Sequence, residues 1–181
     1  SIAVSASHQK YIDRIKTEVV NGTLKIYYDN KGITWKSENK RLRAYVSFKT
    51  LEKLDAAAGS HVNVNGTINT DKFVLHVSSG AGFAGSINAT ELTADVSSGA
   101  GIKITGQADK LTVDASSGAN FKGYDFTADY CNASASSGAD IQVTSNKEIS
   151  AKASGGADIR YKGTALIRDL KTSGGGAVKK A

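Results

Sequence analysis

The chain has 181 residues, of which 40% are hydrophobic, with a formal net charge of +6 and a single cysteine. This length and composition suffice for a buried core, and the absence of any apolar run long enough to cross a bilayer excludes a membrane-spanning helix. One cysteine excludes an intramolecular disulfide. The first residue is Ser rather than Met, which is typical of a processed or trimmed chain, so a signal peptide would already be missing.

The positive charge is concentrated in residues 1–54, which contain eleven Lys or Arg against five Asp or Glu. Together with the aromatic residues of this segment, that bias can indicate a surface for nucleic acid or an acidic glycan. However, charged residues alternate with apolar ones in residues 15–28 and 41–48, as on the solvated faces of ordinary strands. We therefore predict no nucleic-acid partner.

The first strong structural signal is a β-hairpin. Lys16–Val20 and Thr23–Tyr28 alternate in polarity and are joined by Asn21-Gly22, the dipeptide typical of a two-residue hairpin turn. The elements predicted next are a turn, a strand, a polar loop and a strand, at Asp29–Gly32, Ile33–Trp35, Lys36–Lys40 and Leu42–Phe48.

From residue 57 onward a four-residue glycine-centred motif, called the phrase below, occurs seven times, with starts 21, 19, 19, 20, 18 and 19 residues apart. Four successive copies read Ser-Ser-Gly-Ala and begin at Ser78, Ser97, Ser116 and Ser136. This period is too short for helical repeats or propeller blades, but it fits one coil built from short strands. The sequence therefore predicts a β-solenoid of about seven rungs, with a tight turn at each phrase.

Residues at equal distances from the phrase glycine form columns, because equivalent residues of a solenoid stack from rung to rung. The residues three, five and seven positions before the glycine are mostly apolar and alternate with polar ones, so each rung carries a half-buried strand. Cys131 lies in one of these inward columns, and we interpret it as a core residue rather than a reactive thiol. Three positions after the glycine, all seven residues are apolar: Val62, Phe83, Ile102, Phe121, Ile141, Ile159 and Val178.

The rungs also compensate for one another in volume. Where the inward residue after the turn is Phe83 or Phe121, the next inward site is Gly85 or Gly123, which predicts a core of constant cross-section. In the last coil, Arg168 falls in an inward column, and Lys179 and Lys180 place charge near a terminal edge.

We predict two regions in one continuous structural domain: a strand-rich N-terminal cap at residues 1–54 and a solenoid of roughly 19-residue repeats at 55–181. The N-terminal segment lacks the repeat phrase, and the first rung of a solenoid needs a cover for its backbone and apolar cross-section.

The candidate catalytic and metal-binding side chains of the repeats lie in outward columns. Asp55, Asp95 and Asp114 share one column with His76, and Asp140 and Asp158 share another. Stacked carboxylates can attract calcium, but neither column has an Arg or Lys at the same rungs, so solvated strand faces are the favoured interpretation. His8, His61 and His76 are too dispersed to form a metal ligand set. We predict no catalytic residue, no cofactor site and no metal site.

The hairpin around Val20–Ile26, the strand near Arg43–Phe48, the lead-in at Leu51–Leu54 and the run of Ser-Ser-Gly-Ala coils resemble the family of bacterial auto-transporter adhesins with a head GIN domain, common among Bacteroidetes. This resemblance covers nearly the whole chain. It implies an all-β fold, a right-handed parallel β-helix with the shape of pectin lyases but without their catalytic residues. It also implies export, and it transfers no functional residue.

The predicted function is a non-catalytic, secreted or cell-surface adhesion module. Its partner would be an extracellular glycan or a surface protein, its location the cell surface, outer membrane or periplasm, and the sequence is compatible with an oligomer. One alternative is a carbohydrate-binding or degenerate polysaccharide-active β-helix, which a pocket of several acids beside an Arg would favour. Another is a structural scaffold that stacks end to end, which uncapped apolar ends would favour.

Overall fold

The computed structural model describes residues 1–32 and 40–181, and the chain is nearly all β, with 67% strand and 2% helix. It divides into two compact units, Ser1–Lys49 and Thr50–Ala181. The first unit contains β1 (Ile2–Ser5), α1 (Gln9–Ile12), β2 (Ile15–Val20), β3 (Thr23–Tyr28) and β4 (Arg43–Val46). The second contains β5 (Lys53–Ala56), β6 (His61–Val77), β7 (Gly82–Val96), β8 (Gly101–Ala115), β9 (Asn120–Ala135), β10 (Asp140–Ala153), β11 (Asp158–Lys162), β12 (Leu166–Thr172) and β13 (Ala177–Lys180).

The first unit contains the predicted hairpin. β2 and β3 pair antiparallel from Ile15 opposite Tyr28 to Val20 opposite Thr23, and the positive φ of Asn21 (49°) and Gly22 (76°) matches the expected turn. The strand predicted at 42–48 is the shorter β4, which pairs antiparallel with β1, a strand that the sequence did not indicate. The strand predicted at Ile33–Trp35 and most of the following loop lie outside the described residues.

The second unit is the predicted β-solenoid, with about seven turns. Its strands pair in parallel in the order β5, β6, β7, β8, β9, β10, β11 and β13, and β12 pairs with β10. Because each strand hydrogen-bonds to the equivalent strand of the next rung, a column in the sequence becomes a column in space, at about 4.8 Å per rung.

The apolar column after each turn is a continuous file through the core. Strand register pairs its members in sequence order from Val62 to Val178. Its five central members are between 0% and 3% exposed, and the two end members are partly buried. The predicted alternation of inward and outward residues is therefore confirmed.

The volume compensation between phenylalanine and glycine is also present in the structure. A Cβ added to Gly123 would lie 2.6 Å from Cε1 of Phe121, and one added to Gly85 would lie 3.1 Å from Cζ of Phe83. Each phenylalanine ring thus occupies the space of the following inward side chain, which neighbouring rungs fill with residues such as Ile104.

The Ser-Ser-Gly-Ala corners are built by the backbone. In the corner at Ser116, the Ala119 amide donates to the Ser116 carbonyl at 3.2 Å, and both central residues, Ser117 (φ 55°) and Gly118 (φ 69°), are left-handed. The Gly118 amide donates to the carbonyl of Ser137 in the next corner at 3.0 Å. A ladder of such bonds runs through the stacked corners, so these tight turns leave the glycine amides satisfied.

The last coil differs from the prediction at Arg168. Ile167 pairs with Ile149 and Asp169 pairs with Ser150, so the register shifts and Arg168 is the extra residue of a bulge. Arg168 is consequently outside the inward column and lies 3.4 Å from the Glu148 carboxylate. Counting back from the glycine failed here because a bulge changes the number of residues per rung.

Candidate functional site

The first aspartate column stacks as predicted. Strand register pairs Asp55 with His76, His76 with Asp95, and Asp95 with Asp114. The expectation that this column has no Arg or Lys at the same rungs is wrong at its first rung, because Lys53 Nζ lies 3.3 Å from Asp55 Oδ2. On the following rungs, His76 Nδ1 lies 2.7 Å from Asp95 Oδ2. Residues two apart on a strand share a face, so charges from neighbouring columns also meet.

The second aspartate column also stacks as predicted and also has a basic side chain beside it. Asp140 pairs with Asp158, and Arg160 lies two residues further along the same strand, with its guanidinium 3.6 Å from the Asp158 carboxylate. These pairs are exposed, so each contributes little to stability. Within residues 1–32 and 40–181, no three His, Cys, Asp or Glu side chains converge as metal ligands would.

The remaining candidate side chains occupy dispersed positions. His61 Nδ1 lies 3.1 Å from the carbonyl oxygen of Gly59, and His8 packs edge-on against Tyr11. Cys131 is buried between Leu111 and Ile149, and burial raises the pKa of its thiol to about 12. Since the thiolate is the nucleophile, this cysteine stays an unreactive core residue at physiological pH.

A trough with a volume of about 900 Å³ crosses several rungs of the solenoid. Along each rung, its lining residues come before the residue of the aspartate column. One wall is a column of amides and a hydroxyl: Asn69 pairs with Asn88, Asn88 with Gln107, and Gln107 with Thr127. The Asn88 amide donates to Oδ1 of Asn69 at 3.3 Å. This wall offers hydrogen-bond donors and acceptors at every rung.

The opposite wall of the trough is acidic. Asp71, Thr90, Asp109 and Asp129 line it on successive rungs, each directly after a residue of the column Thr70, Ala89, Ala108 and Ala128. With Glu52 at one end, the described lining contains four carboxylates and no Lys or Arg. The small residues between the walls keep the trough open.

Lys147 borders the trough at its far end. Its Nζ lies 2.7 Å from Oδ2 of Asp129 and 5.7 Å from the centre of the Tyr130 ring. The hydrogen bond to Asp129 raises the pKa of the Lys147 ammonium. One of the four carboxylates is thus paired, and the others face the open trough.

Sequence reasoning did not identify the trough. Its acidic wall lies nine residues before the glycines of four successive phrases, at Asp71, Thr90, Asp109 and Asp129. The signal was therefore present in the sequence, as a column beyond the strand that precedes each corner. Extending the columns to that distance would have revealed three carboxylates in four rungs.

Comparison with known proteins places the chain in a family. Residues 1–165 match the profile of the family described as putative auto-transporter adhesin, head GIN domain. No curated protein matches the chain. In the part of the chain that the structure describes, no helix is long and apolar enough to cross a membrane.

Crystal structures from Bacteroidetes share the fold. A putative adhesin from Bacteroides fragilis is 19% identical, with a TM-score of 0.87 over 94% of this chain and 78% of that one. A putative adhesin and a putative lipid binding protein from Parabacteroides distasonis are 17% and 18% identical, with TM-scores of 0.78 and 0.70; each comparison covers 99% of this chain and 83% of the other. At these identities the likeness concerns the fold alone, whereas the profile match covers most of the sequence. The chain therefore belongs to the family of auto-transporter adhesins with a head GIN domain.

Proposed function

We propose that this protein is a non-catalytic adhesion module, exported to the cell surface, outer membrane or periplasm, which binds an extended extracellular glycan along its trough. The observation that carries the proposal is the trough itself, where Asn69, Asn88, Gln107 and Thr127 repeat one polar wall rung after rung. A partner with regularly spaced polar groups can contact several rungs at once. Weak contacts at single rungs then add to a useful affinity.

The chemistry of the trough favours neutral or amine-bearing sugars. Its amides and hydroxyls can both donate to and accept from sugar hydroxyls, and its carboxylates Glu52, Asp71 and Asp109 attract amines and repel acidic groups. The described lining contains no aromatic ring on which a sugar could stack. We therefore expect the module to bind a long chain with low affinity per sugar unit.

The non-catalytic part of the proposal is supported by how the carboxylates are arranged. Thr90 separates Asp71 from Asp109, and Asp129 is bonded to the bordering Lys147. The polysaccharide-active alternative would place several acids beside an Arg. Here the acids are present, but the described lining contains no Arg or Lys, and the bordering Lys147 is bonded to Asp129.

A second candidate function is a scaffold that stacks end to end, and one observation favours it. Leu166, Ile167 and Leu170 of the last coil are 75%, 55% and 37% exposed, although Ile167 and Leu170 continue inward columns of the core. A second copy could cover this apolar end. Concentration-dependent assembly that Leu166→Lys abolishes in sedimentation would favour the scaffold over the monomeric binding module.

The glycan proposal is tested by binding of labelled chitosan and dextran oligomers to the purified protein, measured by fluorescence anisotropy. Asn88→Ala combined with Gln107→Ala removes two amides from the wall, and we expect binding to weaken about tenfold or more. The matched control, Asn63→Ala with Asn132→Ala, removes two exposed amides outside the trough and should bind like wild type. Equal losses in both variants would contradict the site.

An activity screen separates binding from turnover. Release of reducing ends from neutral and acidic polysaccharides is measured for wild type and for Asp109→Asn with Asp129→Asn, with and without calcium. We expect no release from either protein. Depolymerisation by wild type that disappears in the Asp109→Asn, Asp129→Asn variant would overturn the non-catalytic proposal. The matched control carries the same kind of substitution in the outward aspartate column, Asp95→Asn with Asp114→Asn.

A further inference from the structure

A row of basic side chains runs along a different face of the solenoid. Strand register stacks Lys103, Lys122, Gln142, Arg160 and Lys179 directly on one another over five successive rungs. All four cations are exposed. We call this column the basic ladder. At about 4.8 Å per rung, it places four positive charges on a straight line along the solenoid.

Folding does not explain the basic ladder. Lys103 and Lys122 are direct neighbours, and like charges at such positions destabilise a sheet. Other lysines of the solenoid pair with acids, such as Lys53 with Asp55 at 3.3 Å and Lys72 with Glu91 at 3.5 Å. Within the described ranges, neither Lys103 nor Lys122 has such a carboxylate partner.

The column that precedes the ladder along each strand carries no acid beside the first half of the ladder. On one side, Gly101 and Asn120 flank the two lysines, and the carboxylates Asp140 and Asp158 come only on later rungs. Arg160 contacts Asp158 at 3.6 Å, which reduces the charge of the second half. Lys103 and Lys122 are therefore adjacent positive charges that no carboxylate of this flanking column offsets.

We infer that the basic ladder binds an acidic polysaccharide lying along the solenoid, with its carboxylate or sulfate groups on Lys103 and Lys122. A polymer with charges along one direction matches a straight row of cations. The neighbouring polar side chains Asn120 and Gln142 can bond to sugar hydroxyls. The ladder itself holds no aromatic residue, and the Tyr124 ring, two positions beyond Lys122, is occupied by the Lys162 ammonium at 4.2 Å from its centre. With no free ring in the ladder for stacking single-stranded bases and no exposed apolar side chain in it to enter a lipid surface, a glycan fits its chemistry better than nucleic acid or membrane.

This surface is independent of the trough. The ladder lies between the Ser-Ser-Gly-Ala corner and the bend at Gly106, whereas the trough residues Gln107 and Asp109 follow that bend along the same rung. The trough is acidic and the ladder is basic, so the two surfaces select sugars of opposite charge. Failure of one proposal leaves the other standing.

The experiment uses labelled oligogalacturonide, a polymer of uronic acid, with fluorescence anisotropy at several salt concentrations. Wild type should bind, and the affinity should fall as salt rises. Lys103→Gln with Lys122→Gln should weaken binding about tenfold, because two charge contacts are lost. Lys110→Gln with Lys152→Gln changes the net charge equally on another face and should stay within about twofold of wild type.

Several outcomes would overturn the inference. These are no binding by wild type, equal losses in the two double variants, or binding of duplex DNA or anionic phospholipid vesicles as tight as that of oligogalacturonide at the same salt. Thermal midpoints close to wild type confirm that both variants are folded. The trough variant Asn88→Ala with Gln107→Ala should keep its affinity for oligogalacturonide, which separates this surface from the trough.

Discussion

The rungs of the solenoid turn at two kinds of bend, of which only the first keeps the same residues and backbone angles from rung to rung. At the Ser-Ser-Gly-Ala corners the backbone repeats closely: Gly80, Gly99, Gly118 and Gly138 have φ between 69° and 71°. At the second bend the residues vary, because strand register places Ile87 beside Gly106 and Gly106 beside Phe126. The Ser-Ser-Gly-Ala corner therefore has the same backbone geometry on each of these rungs, whereas the side chains at the second bend differ from rung to rung.

The difference shows where specificity can reside in this fold. A corner whose two central residues both need positive φ accepts few side chains, and it offers a partner little beyond backbone. The residues after the second bend are free of that demand, and there the trough gathers amides, hydroxyls and carboxylates such as Gln107 and Asp109. The regular corner stabilises the coil, and the residues after the second bend carry the chemistry of the trough.

The largest expected effect is on the core file that both bends enclose. Phe121 is 0% exposed, and its ring fills the space beside Gly123. Phe121→Ala should lower the free energy of unfolding by about 3–5 kcal/mol, because it removes an aromatic ring and leaves a cavity. Chemical denaturation measures the loss.

The control for this prediction is Thr112→Ala, an exposed residue on an outward column, which should change stability by less than about 0.5 kcal/mol. Similar losses in the two variants would contradict the inward and outward assignment of the columns.

The second prediction compares the two bends directly. A Cβ at Gly118 (φ 69°) meets no atom within 4 Å, so Gly118→Ala should cost only about 1 kcal/mol for its left-handed backbone. At Gly106 (φ 112°) a Cβ would fall on the carbonyl oxygen of Ile87, and a backbone atom cannot move aside. Gly106→Ala should therefore cost about 3 kcal/mol or more.

Thermal and chemical unfolding of the two alanine variants measure this difference. If Gly118→Ala proved as costly as Gly106→Ala, close packing rather than backbone conformation would control the regular corner. Gly163, where a Cβ would likewise meet the Ser145 carbonyl, offers an independent repeat of the Gly106 result on another rung.

The regular side of the rung was predicted from sequence, and the variable side was not. Strand alternation and the phrase glycine defined the core file from Val62 to Val178, because parallel register carries a column unchanged from rung to rung. Register shifts between Lys103 and Gly106, and between Ser145 and Glu148, interrupt the columns near the second bend. Such bulges depend on local packing, so counting from the corner misplaced Arg168. The trough was missed for another reason: its acidic wall lies nine residues before the phrase glycine, beyond the columns that were compared.

The smallest expected effect concerns the serines of the corner. The corner bonds at Ser116 and Gly118 join backbone atoms only, and the Ser116 hydroxyl has no protein partner among the described residues. Ser116→Ala should therefore change the free energy of unfolding by less than about 0.5 kcal/mol, well below the loss in Gly118→Ala. The midpoint of chemical denaturation, with wild type and Gly118→Ala measured beside it, provides the check. A loss from Ser116→Ala as large as that from Gly118→Ala would mean that serine hydroxyls, and not backbone geometry alone, stabilise the regular corner.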